Sequence, residues 1–112
     1  DHYRSRLDET NAIVPFEYNH NFSTPSYHIF PLILPKAINR KFVIDALRKE
    51  KIQSSVHYPS FAGFSAYKHL IKKGDLPLVD DICARELTLP LHPGMSIGDV
   101  DIVCDVLKKA IQ

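Results

Sequence analysis

The chain has 112 residues and a mass of 12.8 kDa, with 45% of residues hydrophobic and 24% charged. That is the size of one globular domain of roughly 100–150 residues, and too small for a two-domain enzyme with a large cofactor cleft. Fourteen Lys and Arg against thirteen Asp and Glu leave a formal net charge of +1, too even a balance for a general nucleic-acid binder.

No apolar run approaches the ~20 residues of a membrane helix. The densest stretch, Ile29 to Leu34, is short and broken by Pro31. No basic-then-apolar secretory leader is visible, and the expected location is the cytoplasm. The only methionine is Met95, so the chain is expected to be a piece of something longer. Cys83 and Cys104 both fall on apolar stripes of predicted helices and are expected to be reduced, buried thiols. No Cys-x-x-Cys or Cys/His spacing points to zinc, the six histidines are scattered, and no metal site is expected.

Residues 1–26 read as a lead-in and 27–112 as the domain proper. Asp1 to Leu7 suits the last turns of a helix; the segment after it is rich in turn formers. Tyr27 to Leu34 reads as a strand closed by Pro35, with Pro31 placing it at an edge or bulge. Asn39 is an N-cap for a helix to about Glu50, with Phe42, Val43, Ala46 and Leu47 as its apolar face and Asp45 within reach of Lys49. Ile52 to Tyr58, stopped by Pro59, predicts a second strand, and a right-handed crossover if it lies parallel to the first. Phe64, Tyr67, Leu70 and Ile71 predict a short amphipathic helix ending at Gly74. Pro77 opens another, with Val79, Ile82, Cys83 and Leu87 as its stripe. A short strand follows at Leu87 to Leu91. Ser96, with Asp99 three positions on, caps a last helix whose stripe is Val100, Val103, Cys104, Leu107 and Ile111. The fold class is α+β: a small, mostly antiparallel sheet of about three strands with helices on one face.

Catalytic motifs are scarce. No glycine-rich phosphate loop, Gly-x-Ser-x-Gly or His-Glu-x-x-His occurs. Strand alternation permits a Ser55/His57 pair on one face, but no orienting acid is close in sequence, which argues against nucleophilic catalysis. Phe61, Phe64 and Tyr67 follow helical spacing and are assigned to core packing. His57 sits where a strand gives way to a loop, a place where ligands often meet a sheet, and fits a site lining and a structural histidine equally well. His28 at a strand start reads as half-buried and structural, and the loop Leu89 to Met95, carrying His92, as a rigid connector. None of the nine lysines has a context that promises a Schiff base.

Taken together, Tyr27-His28-Ile29-Phe30-Pro31, Ser54-Ser55-Val56-His57-Tyr58-Pro59, Phe64-Ser65-Ala66-Tyr67 and Leu87-Thr88-Leu89-Pro90-Leu91-His92-Pro93-Gly94-Met95 resemble the C-terminal domain of the DegT/DnrJ/StrS sugar aminotransferases. Arg85 matches an arginine that the family usually carries just before the last block. The resemblance implies the small domain of a fold-type-I, pyridoxal-phosphate-dependent homodimer that moves an amino group onto a nucleotide-linked keto-sugar. It implies that the Schiff-base lysine and the other cofactor-holding groups lie in a large N-terminal domain absent here. This chain alone would then hold no cofactor, supply no catalytic residue and be inactive. His57 and Tyr58 would line the substrate entrance, with His28, Arg85 and His92 in supporting or structural roles. The family often reads His-Tyr-Pro-Pro-x-His; Ser60 and Ala62 replace the second proline and second histidine, so a role carried by that histidine is missing. The competing reading is a stand-alone α+β interaction or ligand-binding module without catalysis. If a large domain is missing, a bare apolar face should promote self-association, and Phe16, Tyr18 and Phe22 are candidates for part of it.

Overall fold

Leu32, Leu34, Leu47, Leu87 and Leu107 have essentially no exposed surface, and the elements that carry them define the fold. In the computed structural model, which describes residues 1–15, 26–72 and 74–112, the order is α1 (His2–Leu7), β1 (Phe30–Ile33), α2 (Arg40–Lys49), α3 (Pro77–Arg85), β2 (Glu86–Leu89) and α4 (Ile97–Ile111). Phe16, Tyr18 and Phe22 lie outside the described residues.

β1 and β2 are antiparallel, with Phe30 opposite Leu89, Pro31 opposite Thr88, Leu32 opposite Leu87 and Ile33 opposite Glu86. The backbone of Thr88 instead exchanges both its hydrogen bonds with Ser55, at 2.8 and 3.0 Å. The Pro31–Thr88 pair is therefore a non-hydrogen-bonded position of the β1–β2 ladder, where a missing N–H costs nothing. Ile33 exchanges bonds with Ile13 on the other side of β1, and Pro31, two residues away, turns its ring nitrogen toward that same outer side.

Each helix buries what its periodicity offers. Tyr3 and Leu7, one turn apart on α1, enter the core; Tyr3 stacks on Phe30 at 4.6 Å and donates its hydroxyl to the Pro90 carbonyl at 2.9 Å. Asn39 caps α2 by accepting from the Lys41 N–H at 2.9 Å. Val43 and Leu47 are buried, but Phe42 is 62% exposed, because a three-residue step from Phe42 to Asp45 carries it onto the polar side. Asp45 pairs backward with Lys41 at 2.6 Å and forward with Arg48 at 3.6 Å. No such ion pair joins it to Lys49. Ser96 and Asp99 form a complete capping box on α4, which buries Val103, Cys104, Leu107 and Ala110. His2 and Arg6 reach from α1 to Asp101, and Arg6 also to Asp105, which fastens α1 along α4.

Three expectations need correction. Ile52 to Tyr58 is not a strand: Lys51 turns with φ +61°, and only Ser55 bridges to β2, antiparallel, so there is no parallel crossover. The polar Gln53, Ser54 and Ser55 offer no second apolar face to bury. The amphipathic helix expected from Phe64 to Gly74 does not form among its described residues. A short 3-10 turn at Phe61–Gly63 leads into further turns closed largely by i→i+3 bonds, ending at Gly74 with φ +96°. A nascent helix needs a face to bury, and none is offered: Phe61, Phe64, Tyr67 and Leu70 are 40–70% exposed, so the aromatics assigned to the core are on the surface. α3 likewise has no buried residue, and Leu87 belongs to β2. Cys83 is consequently only half-buried, whereas Cys104 is buried; both are free thiols.

Two stability predictions follow from groups at the ends of the core. The Ser96 hydroxyl and backbone hold the Asp99 carboxyl below its usual 3.8. Its stabilisation is complete above that value and lost as pH falls through the lowered one. Ser96→Ala should cost about 1 kcal/mol in urea unfolding at neutral pH, and Asp99→Asn should flatten the acid limb of the stability profile. Burial, and then the nearby Cys104 and Asp99, push the Tyr3 phenol well above its usual 10.0. Stability should therefore hold below pH 10 and fall as pH rises past it, a slope that Tyr3→Phe reduces.

Candidate functional site

β2 is buried along its whole length, and its residues alternate in character: Leu87 and Leu89 enter the core, while Glu86 and Thr88 share the opposite face. Glu86 is 4% exposed. A carboxylate in such a place must find donors, and the segment after Ser55 provides one. The His57 backbone N–H donates to Oε2 at 2.8 Å, and the Thr88 hydroxyl donates to Oε1 at 2.6 Å. Thr88 Oγ1 in turn lies 2.9 Å from His57 Nδ1. Glu86, Thr88 and His57 thus form one connected chain from a buried carboxylate to a half-buried imidazole. Tyr58 packs edge-on to the His57 ring at 5.1 Å, and the peptide joining the two residues is cis.

His57 and Thr88 line an open groove of about 680 Å³, walled further by His28, Lys51, Ser54 and His92. The Ser54 hydroxyl is buried there with no hydrogen-bond partner. Three of the histidines singled out from sequence therefore face one space: His28 and His92 are exposed on its rim and His57 sits deeper. His28 is more exposed than the half-buried placement expected of it. Tyr58 is 73% exposed and lies outside the lining. Arg85 is on a different surface, beside Lys36 and Arg40, where its guanidinium donates to the Leu34 carbonyl at 2.6 Å and pairs with Asp81 at 2.5 Å. That partnership raises the Arg85 pKa and lowers that of Asp81. Arg40 works similarly, donating to the Cys83 and Glu86 carbonyls at 2.6 and 3.0 Å and satisfying the end of α3, where positive charge is favourable.

Ser55 and His57 do not pair; the imidazole's partner is Thr88. The acid that seemed missing is present, but 29 residues away in sequence. The signal that points to it is the alternation Glu86-Leu87-Thr88-Leu89, which places two polar residues on one face of the strand. Among the described residues there is no group of three or more His, Cys, Asp or Glu that could hold a metal ion, and no helix is long and apolar enough to cross a membrane. Nor do the described residues fit pyridoxal phosphate: every described lysine is exposed or half-exposed, so none has the desolvated setting of a Schiff-base amine.

The sequence and fold have clear counterparts. The model of the DegT/DnrJ/EryC1/StrS aminotransferase family matches residues 1–108. A UDP-4-amino-4,6-dideoxy-N-acetyl-beta-L-altrosamine transaminase of Campylobacter jejuni is 31% identical over the full chain and 33% of its own length. An uncharacterized protein of Methanocaldococcus jannaschii is 33% identical over 77% of the chain and 24% of its own length. Among solved structures, a DegT DnrJ EryC1 StrS aminotransferase from Brucella abortus superposes with a TM-score of 0.78 at 27% identity, over 97% of this chain and 28% of that one. The chain thus spans about a quarter to a third of the length of the relatives it matches.

Glu86→Gln tests the buried acid. The amide oxygen can still accept from the His57 N–H, but the NH2 group can meet Thr88 Oγ1 only by donating, so the Thr88 hydroxyl must reverse and two bonds to a charged group become neutral ones. The expected loss is about 1–3 kcal/mol of stability, read by urea unfolding.

Proposed function

Because the chain belongs to the DegT/DnrJ/EryC1/StrS aminotransferase family, we propose that it is the small C-terminal domain of a pyridoxal-phosphate-dependent enzyme that aminates a nucleotide-linked keto-sugar. The observation that carries this reading is the end-to-end match to a nucleotide-sugar transaminase, over all of this chain but a third of that protein. The remainder would be the large domain that holds the cofactor, and the whole enzyme would be a homodimer. When bound, the cofactor supplies the electron sink for amino transfer; this chain contributes the wall of the substrate entrance, with His57 and Tyr58 toward the sugar nucleotide and His28 and His92 at the rim. Arg85 has a structural part, tying the end of β1 to α3.

The missing domain also accounts for a surface otherwise costly to expose. Tyr58, Phe61, Phe64, Tyr67, Leu70 and Leu78 are each at least 40% exposed. They belong to one stretch, 58–78, that contributes little to the core. An apolar surface of this kind is a contact surface, and the large domain and the second protomer are its proposed occupants.

The full-length protein, supplied with pyridoxal phosphate, an amino donor such as glutamate and a nucleotide-linked 4-keto-sugar, should convert the sugar to its amino form, detected by mass. The 112-residue chain alone should give no imine absorbance on addition of the cofactor. A stable imine signal from this chain, lost on replacing one of its lysines, would overturn the division of labour proposed here.

A further inference from the structure

The hydrogen count in the Glu86–Thr88–His57 chain has a definite direction. A carboxylate only accepts, and both Glu86 oxygens are engaged, one by the His57 N–H and one by the Thr88 hydroxyl. A threonine hydroxyl has a single hydrogen. Having given it to Glu86, Thr88 can only accept at its remaining contact, the 2.9 Å approach of His57 Nδ1. Nδ1 must then carry the proton. In the neutral ring that leaves Nε2 as a bare lone pair. Among the described residues no group hydrogen-bonds to Nε2, and the ring lines the groove together with Thr88.

We infer that Glu86 and Thr88 are positioning residues that lock His57 in its Nδ1–H tautomer, so that Nε2 faces the groove as an acceptor for a hydroxyl hydrogen of the ligand. A carboxylate setting the tautomer of an imidazole is a familiar arrangement; the hydroxyl interposed here keeps the buried charge one residue away from the ligand. The geometry excludes the opposite role for a neutral His57, donation from Nε2 to a phosphate or carboxylate. The groove next to His57 is accordingly assigned to the hydroxyl-bearing, sugar part of a sugar nucleotide. That identification of the ligand rests on the function proposed above, whereas the tautomer does not.

The tautomer is read directly from the ring-nitrogen resonances of the 15N-labelled chain, at a pH where the imidazole is neutral. The expected pattern is a pyrrole-type Nδ1 and a pyridine-type Nε2. Thr88→Ser should preserve it, and Thr88→Val should abolish the preference. An Nε2–H ring in the unaltered chain would overturn the relay outright, without any variant having to fold. In the full-length enzyme, Thr88→Val should raise KM for the sugar substrate about tenfold, the worth of roughly one hydrogen bond, with little change in KM for the amino donor, and Thr88→Ser should restore it. An unchanged sugar KM alongside the expected tautomer would refute the acceptor role. Absence of any transamination by the full-length enzyme would refute the proposed function, and the resonances would still decide the relay.

Discussion

The carboxylate of Glu86 sets the terms for this half of the molecule. It lies under the surface on a strand with both neighbours in the ladder occupied, and an uncompensated charge there would cost several kcal/mol. Its two oxygens are satisfied by groups from two places, the hydroxyl two residues along its own strand and the backbone N–H of His57. The second bond draws residues 54–58 against β2, although their sequence is too polar to be held there by burial. Together with the two backbone bonds between Ser55 and Thr88, that requirement fixes where the loop runs and brings the imidazole to Thr88.

The parts of the fold legible in the sequence are those stabilised locally. Asn39 before α2, and Ser96 with Asp99 before α4, satisfy helix N-termini within a few residues, and the stripe Val103, Cys104, Leu107 needs only one partner surface. Pro31 correctly pointed to a strand position where a donor is dispensable. The misreadings share a cause. In the segment 64–72 and in α3, apolar residues recur with helical spacing, but no surface among the described residues buries them, so periodicity overstated both order and burial. In the segment 52–58, β-branched Ile52 and Val56 suggested a strand where tertiary pairing amounts to a single bridge. For the site, His57 was visible as a titratable residue at a strand end. Glu86 was not: the alternation with Thr88 hints at a shared polar face, but the link to His57, 29 residues away, exists only once the chain has folded.

The domain is held together by two kinds of contact in different places. Around β1, β2, α1, α2 and α4 the contacts are mainly apolar, with leucines at the centre and ion pairs from His2 and Arg6 along α4. α3 has no buried residue and is held at its C-terminal end by guanidinium groups, Arg40 on its last carbonyls and Arg85 across to Leu34. Such bonds are directional and fix position without excluding water. The division runs through the chain itself: the apolar residues of one part are buried against each other, and those of the 58–78 stretch are largely exposed.

Pro31 has a consequence beyond its own strand. A two-stranded sheet with a free rim is an invitation to recruit further strands from neighbouring molecules. The outer side of β1 gives such a recruit little to grip: at Ile33 it is already taken by Ile13, and at Pro31 there is no hydrogen to offer. Along this border neighbouring molecules find no continuous row of donors and acceptors with which to stitch their sheets into fibrils.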